Sequence, residues 1–136
     1  MSVISKDENV IKLFYNSESN VGKQTLGYLQ STDKNILSID TQKTRVTGTQ
    51  WADICDHLDC TISDLVNKEH PSFTDNYDSH VELSDNDWIK VLQTHQEVFV
   101  FPIVIIGKDY YRIENPSDVE KYLDNDSKGL DEQNPD

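Results

Sequence analysis

Val10-Ile11-Lys12-Leu13-Phe14-Tyr15-Asn16-Ser17-Glu18-Ser19-Asn20-Val21-Gly22-Lys23-Gln24-Thr25 decides the fold. The apolar run to Asn16 reads as a buried strand. Asn20–Ser31 reads as a helix, with Val21, Thr25, Tyr28 and Leu29 on one face. A loop joining a strand end to a helix N-terminus gathers free backbone N–H groups and the positive end of the helix dipole. That geometry binds anions and lowers thiol pKa values. The residue placed to use it is Ser19, an alcohol rather than a thiol. Asn35–Thr41 alternates apolar and polar residues and reads as a second strand. Strand, helix and strand with short links form a βαβ unit, whose strands run parallel with a right-handed crossover.

A helical block follows. Thr47 or Thr49 caps a helix carrying Trp51, Ile54, Cys55 and Leu58 inward. Thr61 begins a short helix with Asp64 at the capping-box position. Residues 70–83 read as a polar loop holding Phe73 and Tyr77. Ser84 caps a helix whose inner face is Trp88, Val91, Leu92 and His95. Phe99–Ile106 is the most hydrophobic run, interrupted by Pro102. Gly107-Lys108 then turns the chain into an antiparallel strand, Tyr110 to Ile113. Asn115-Pro116-Ser117-Asp118 is a helix start with a cap, a proline and an acid in the first turn. The order βαβ, helices, ββα predicts an α/β chain with a thioredoxin-like four-stranded mixed sheet and a helical insertion between its halves. Residues 1–9 form an N-terminal extension, 10–123 the domain, and 124–136 an acidic tail whose composition predicts disorder.

The chain has 136 residues, 12 basic against 25 acidic, for a net charge of −13. Its 35% apolar content and twelve aromatics (two Trp, six Tyr, four Phe) suit one folded domain. An acidic excess without clustered Lys and Arg argues against nucleic acid and against an anionic membrane, and favours a basic partner. With no signal-like apolar run at the N-terminus and no stretch of membrane-spanning length, a cytoplasmic protein is expected. Cys55 and Cys60 lie five apart, match no CxxC or disulfide framework, and read as reduced structural thiols.

Known site patterns mostly fail here. A phosphate loop at Gly22-Lys23 would need glycine at Ser17 and a hydroxyl residue at Gln24. Asp124-x-Asp126-x-Lys128-Gly129 resembles a calcium loop, but a lysine and Pro135 occupy ligand positions. His57, His70, His80 and His95 lack metal-ligand spacing. Neither a metal nor a cofactor is expected. Three sites remain. Ser19 either caps the helix or helps bind an anion or a thiol ligand. Pro102, after Phe101 and before Ile103, either makes a special, cis backbone that exposes a group to an extended ligand or simply begins a strand. Arg112 either reaches an anion at the Ser19 loop or pairs with a local carboxylate.

Taken together and in this order, these sites resemble the arsenate reductase family of glutaredoxin-coupled, thioredoxin-fold proteins, which includes the Spx-like regulators. The family pattern is a strand, Asn-Pro-x-Cys and a helix. Later come a helix ending near His, Arg-Pro-Ile-Val, a strand carrying arginine, and Pro-Ser-Glu-Val. The resemblance covers about Val10 to Leu123. It is strongest over Asn16–Leu26 and from Leu92-Gln93-Thr94-His95 through Phe101-Pro102-Ile103-Val104 to Pro116-Ser117-Asp118-Val119. It implies that Asn16 matches the family asparagine and that Ser19 stands at the catalytic cysteine. It also implies that Lys23 replaces a basic residue of the helix, and that Pro102 matches a proline typically cis. Phe101 and Asn67 stand where two anion-binding arginines lie, and Arg112 matches the third.

Arsenate chemistry needs a thiolate nucleophile and several cations on the oxyanion. The expectation is therefore a member without the catalytic cysteine, a redox-inactive binding or regulatory module. Its degenerate site comprises Asn16, Ser19, Lys23, Phe101, Pro102 and Arg112, with no catalytic residue. The expected partner is a basic protein or a glutathione-like thiol. The rival expectation is a thiol- or glutathione-dependent oxidoreductase using Cys55 or Cys60.

Overall fold

The structure, a computed structural model, describes residues 10–78 and 80–123. The expectations for 1–9 and 124–136 lie outside the described residues. The order of elements is β1 (Val10–Tyr15), α1 (Asn20–Gln30), β2 (Asn35–Asp40), α2 (Gly48–Leu58), a 3₁₀ turn (Ile62–Leu65), α3 (Pro71–Thr74), α4 (Asp85–Thr94), a second 3₁₀ turn (Gln96–Val98), β3 (Ile103–Ile106) and β4 (Asp109–Arg112). A final helix, α5, covers 118–123 within the described residues.

The four strands form one mixed sheet in the order β2-β1-β3-β4. β1 runs parallel to β2 and antiparallel to β3, which pairs antiparallel with β4. This is the expected thioredoxin-like arrangement, with α2 to α4 inserted between its halves. The two-residue strand alternation builds two cores. On one face Phe14, Ile103 and Ile105 pack with Trp51, Ile54, Trp88 and Leu92. On the other, Ile11, Leu13, Val104 and Ile106 pack with Leu29, Val119 and Leu123. Central β3 is buried at every position, whereas edge β2 leaves Leu37 37% exposed.

Local chemistry sets the element ends. Thr47 caps α2 in a reciprocal capping box with Gln50. Ser84 caps α4 by accepting from the Asp87 N–H. Gly107, at φ 61, supplies the positive backbone angle of the tight β3–β4 hairpin.

Four expectations change. The 70–83 segment is not all loop: Pro71 starts the one-turn α3, which His70 caps and which buries Phe73 between Tyr77 and Trp88. The helix from Thr61 is only a 3₁₀ turn, because Val66 leaves helical geometry at once. His95 ends α4 rather than lining its inner face; its backbone, at φ −123 and ψ 69, is not helical. Within the hydrophobic run Phe99–Ile106 the strand takes only Ile103–Ile106, starting after Pro102, which has no N–H to give a ladder.

The packing of α1 against the end of β1 leaves no spare space. A Cβ at Gly22 would lie 2.6 Å from the Asn16 carbonyl oxygen, a backbone atom that cannot swing aside. Glycine is therefore required here for close approach, and Gly22→Ala is expected to cost about 1–3 kcal/mol. At Gly27 nothing lies within 4 Å of the added carbon, so Gly27→Ala should stabilise by up to about 1 kcal/mol. Urea midpoints of the two variants should move in opposite directions.

Candidate functional site

The N-terminus of α1 sits at the C-terminal end of β1, where the sheet's central strands meet the 96–102 crossing segment. Asn16 organises this junction and is only 2% exposed. Its amide nitrogen donates to the Gln96 and Phe99 carbonyls at 3.3 and 3.2 Å. Its side-chain oxygen accepts from Glu18 N–H at 2.8 Å and from the Gln42 amide at 3.1 Å. Beside it, buried Asp40 accepts from the Ser17 and Gln42 backbone N–H groups. Burial would raise the Asp40 pKa. The hydrogen bonds from Ser17 and Gln42 and the charge of Lys43 outweigh it and hold the carboxyl below its usual range.

Ser19 is the N-cap of α1 and 9% exposed. Its hydroxyl accepts from Gly22 N–H at 3.2 Å and donates to the Val100 carbonyl at 2.9 Å. Both functions of the hydroxyl serve the fold, and its proton points at a carbonyl rather than at a base. Ser19, Asn16, Glu18, Asn20, Val21, His70, Glu97 and Val100 line a groove of about 320 Å³. Burial pushes the Glu97 pKa up, but a hydrogen bond from Ser72 and the charges of His95 and His70 bring it below the ordinary value. The groove therefore carries ionised carboxylate where an oxyanion would need cations.

A second groove, of about 240 Å³, adjoins the first at Val100. Leu65, Asn67, Lys68, Glu69, Phe101 and Arg112 line it. The Arg112 guanidinium lies 5.2 Å from the Phe101 ring centre and 3.9 Å from the Glu114 carboxylate. Its Nε is buried with no hydrogen-bond partner. Lys68 is engaged elsewhere, donating to the Ser63 carbonyl at 2.9 Å and lying over the Trp88 ring.

The structure thus brings Asn16 and Ser19 into one groove, and Phe101 and Arg112 into the next. Lys23 is exposed and lines neither of the two. Pro102 is buried just ahead of β3. Among the described residues no peptide bond is cis, so the special backbone expected at Pro102 is absent. A proline at this point needs no N–H for the β1 ladder, which begins at Ile103, while its carbonyl accepts from Ile113 N–H at 2.9 Å. Glu97 and His70 are site residues that sequence reading missed. Neither sits in a motif, and only the turn at 96–98 and the cap on α3 carry them to the groove.

Away from both grooves, Asp53 of α2 accepts from the Tyr110 hydroxyl at 3.0 Å, and the His57 ring stacks on Tyr110 at 4.1 Å. Burial and then this bond to Asp53 push the Tyr110 hydroxyl up to about 12. Cys55 is 5% exposed, and burial, reinforced by Cys60 and nearby aspartates, pushes its thiol up to about 12. Cys60 is also raised, chiefly by burial. No group of three or more metal-ligating side chains occurs among the described residues, and no helix there is long and apolar enough to cross a membrane.

No family model matches the chain, and no curated protein does. Solved structures do. An arsenate reductase from Vibrio cholerae superposes with a TM-score of 0.72 at 14% identity, over 82% of this chain and 96% of that one. A putative arsenate reductase from Yersinia pestis gives 0.72 at 11% identity, over 82% and 98%. The fold is that of these thioredoxin-like structures, across nearly their whole length.

Two outcomes are expected. Asp40→Asn should lose about 1–2 kcal/mol at pH 7, where charge-assisted bonds are broken. Because the folded carboxyl has the lower pKa, this stability exists above the ordinary aspartate value of about 3.9 and fades as pH falls below it. The two unfolding curves should converge in acid. Alkylation of Cys55 should be slow at neutral pH and keep accelerating toward about pH 12, which labelling rates against pH would show.

Proposed function

We propose that the protein is a redox-inactive binding module on an arsenate reductase-like scaffold, and that its ligand is an extended, basic protein segment. One observation carries this reading: the Ser19 hydroxyl is a brace between Gly22 and Val100, in a groove whose charge comes from Glu18 and Glu97. An alcohol whose proton goes to the Val100 carbonyl does not hand it to a base, and a helix dipole of about 1 kcal/mol does not make it a nucleophile. The carboxylates repel an oxyanion and attract lysine or arginine. Phe101 supplies an apolar contact where the resemblance places an arginine, and Arg112, already over that ring, orders it. The net charge of −13 adds long-range attraction for such a partner.

The rival oxidoreductase reading needs an exposed thiol with a depressed pKa. Both cysteines are shifted the other way.

Calorimetric titration with an extended Lys/Arg-rich peptide, an acidic peptide, glutathione and arsenate tests the proposal. Binding is expected for the basic peptide alone and should weaken as salt rises. Glu97→Gln together with Glu18→Gln should reduce affinity at least fivefold, and Phe101→Ala by a similar factor, each about 1 kcal/mol. Turnover of arsenate with a thiol donor by the protein with Ser19 intact would overturn the reading.

A further inference from the structure

The groove that holds Glu18 and Glu97 also carries histidine. His70 lines it, and His95 meets Glu97 with Nδ1 3.9 Å from the carboxylate oxygen Oε2. The two rings arrive from different elements: His70 caps α3, and His95 joins the end of α4 to the second 3₁₀ turn. The His70 Nδ1 accepts from Ser72 N–H at 3.0 Å, and a nitrogen that accepts from a backbone amide carries no proton. Protonation turns that nitrogen into a donor facing another donor. The event that puts positive charge beside Glu97 therefore also breaks the side-chain cap of α3. At His95 a proton meets no such obstacle: the ring faces the Glu97 carboxylate from the C-terminal, negative end of α4.

We propose that His70 and His95 make the groove a pH switch, which holds a basic segment near about pH 8 and releases it toward about pH 5.5. The switch rests on the basic-ligand reading of this groove and adds its regulation. The charged groups facing the two rings are Glu97 from the 3₁₀ turn and Glu18 from the β1–α1 loop. Lys68 and Glu69, just before His70 in the chain, line the adjoining groove instead. With both rings neutral the groove holds the charge of two carboxylates; with both protonated the opposing charges cancel. Burial raises the Glu97 carboxyl, but bonds from Ser72 and its own backbone and the charges of His95 and His70 bring it below the ordinary value. Glu97 thus stays ionised through a range in which histidine changes charge. A cationic ligand prefers the neutral rings, so its binding expels protons and each proton taken up weakens its binding.

Calorimetric titration of the full chain with a capped peptide of lysine, arginine and leucine tests the switch at fixed ionic strength, since no group of that peptide titrates in this range. Affinity is expected to fall about tenfold between about pH 8 and about pH 5.5. Binding near about pH 6.5 should release protons, read from how the heat depends on the ionisation enthalpy of the buffer. His70→Asn keeps a residue that caps helices, and together with His95→Gln it should hold the fall to about twofold or less. In the protein alone, the Ser72 amide resonance should move across this range in the wild type and stay still in His70→Asn. Should the double variant fail to fold, the wild-type heats and the Ser72 amide decide. Affinity that stays flat or rises as pH falls, or a Ser72 amide that does not move, overturns the switch and leaves the basic-ligand reading standing. Absence of binding at every pH overturns both.

Discussion

Asn16 and Gly22 set the constraint on which the site depends. Asn16 is a single buried side chain that joins the end of β1 to the 96–99 turn and to Gln42, while its own carbonyl oxygen presses on α1 at Gly22, which has no Cβ. Nothing larger than hydrogen fits between helix and strand, so the α1 N-terminus is held in one place relative to Val100. Ser19 then completes the contact by bonding across it. Buried polar groups of this kind are costly unless every partner is present, and here both ends of the Asn16 amide are paired.

That rigidity explains how a scaffold suited to anions holds a different electrostatic site. The helix end still offers its N–H groups, but Ser19 caps one of them and Glu18 and Glu97 sit in the adjoining groove. In the next groove an aromatic ring, Phe101, meets Arg112. The positive end of the α1 dipole thus faces the carboxylates of Glu18 and Glu97. The thiols are likewise quiet where they stand: burial beside aspartates keeps them protonated, the opposite of the environment that activates sulfur.

The helical insertion supplies the other wall. Phe73, stacked between Tyr77 and Trp88, anchors the short α3, and His70 at its start accepts from Ser72 N–H while facing the Ser19 groove. Lys68, the cation nearest the Phe101 groove after Arg112, is drawn to Trp88 and the Ser63 carbonyl. Packing of the insertion thus ties up Lys68 and brings His70 to the Ser19 groove.

The fold was legible in the chain because its signals are local and periodic. The apolar run of β1, the two-residue alternation of β2, the caps at Thr47 and Ser84 and the hairpin glycine at Gly107 each act within a few residues, so spacing alone revealed them. That Ser19, Phe101 and Arg112 are candidates was legible through their order along the chain. Whether they share one groove was not, since that depends on how the 96–102 segment crosses the sheet. The geometry at Pro102, the one-turn helix at Pro71, and the arrival of Glu97 and His70 beside Ser19 were settled by long-range contacts. So was the end of α2, where Asp59 takes left-handed backbone angles, φ 55 and ψ 47, and lets Cys60 N–H donate to the Cys55 carbonyl. Periodicity reports which face a residue takes; only the packed chain decides what that face meets.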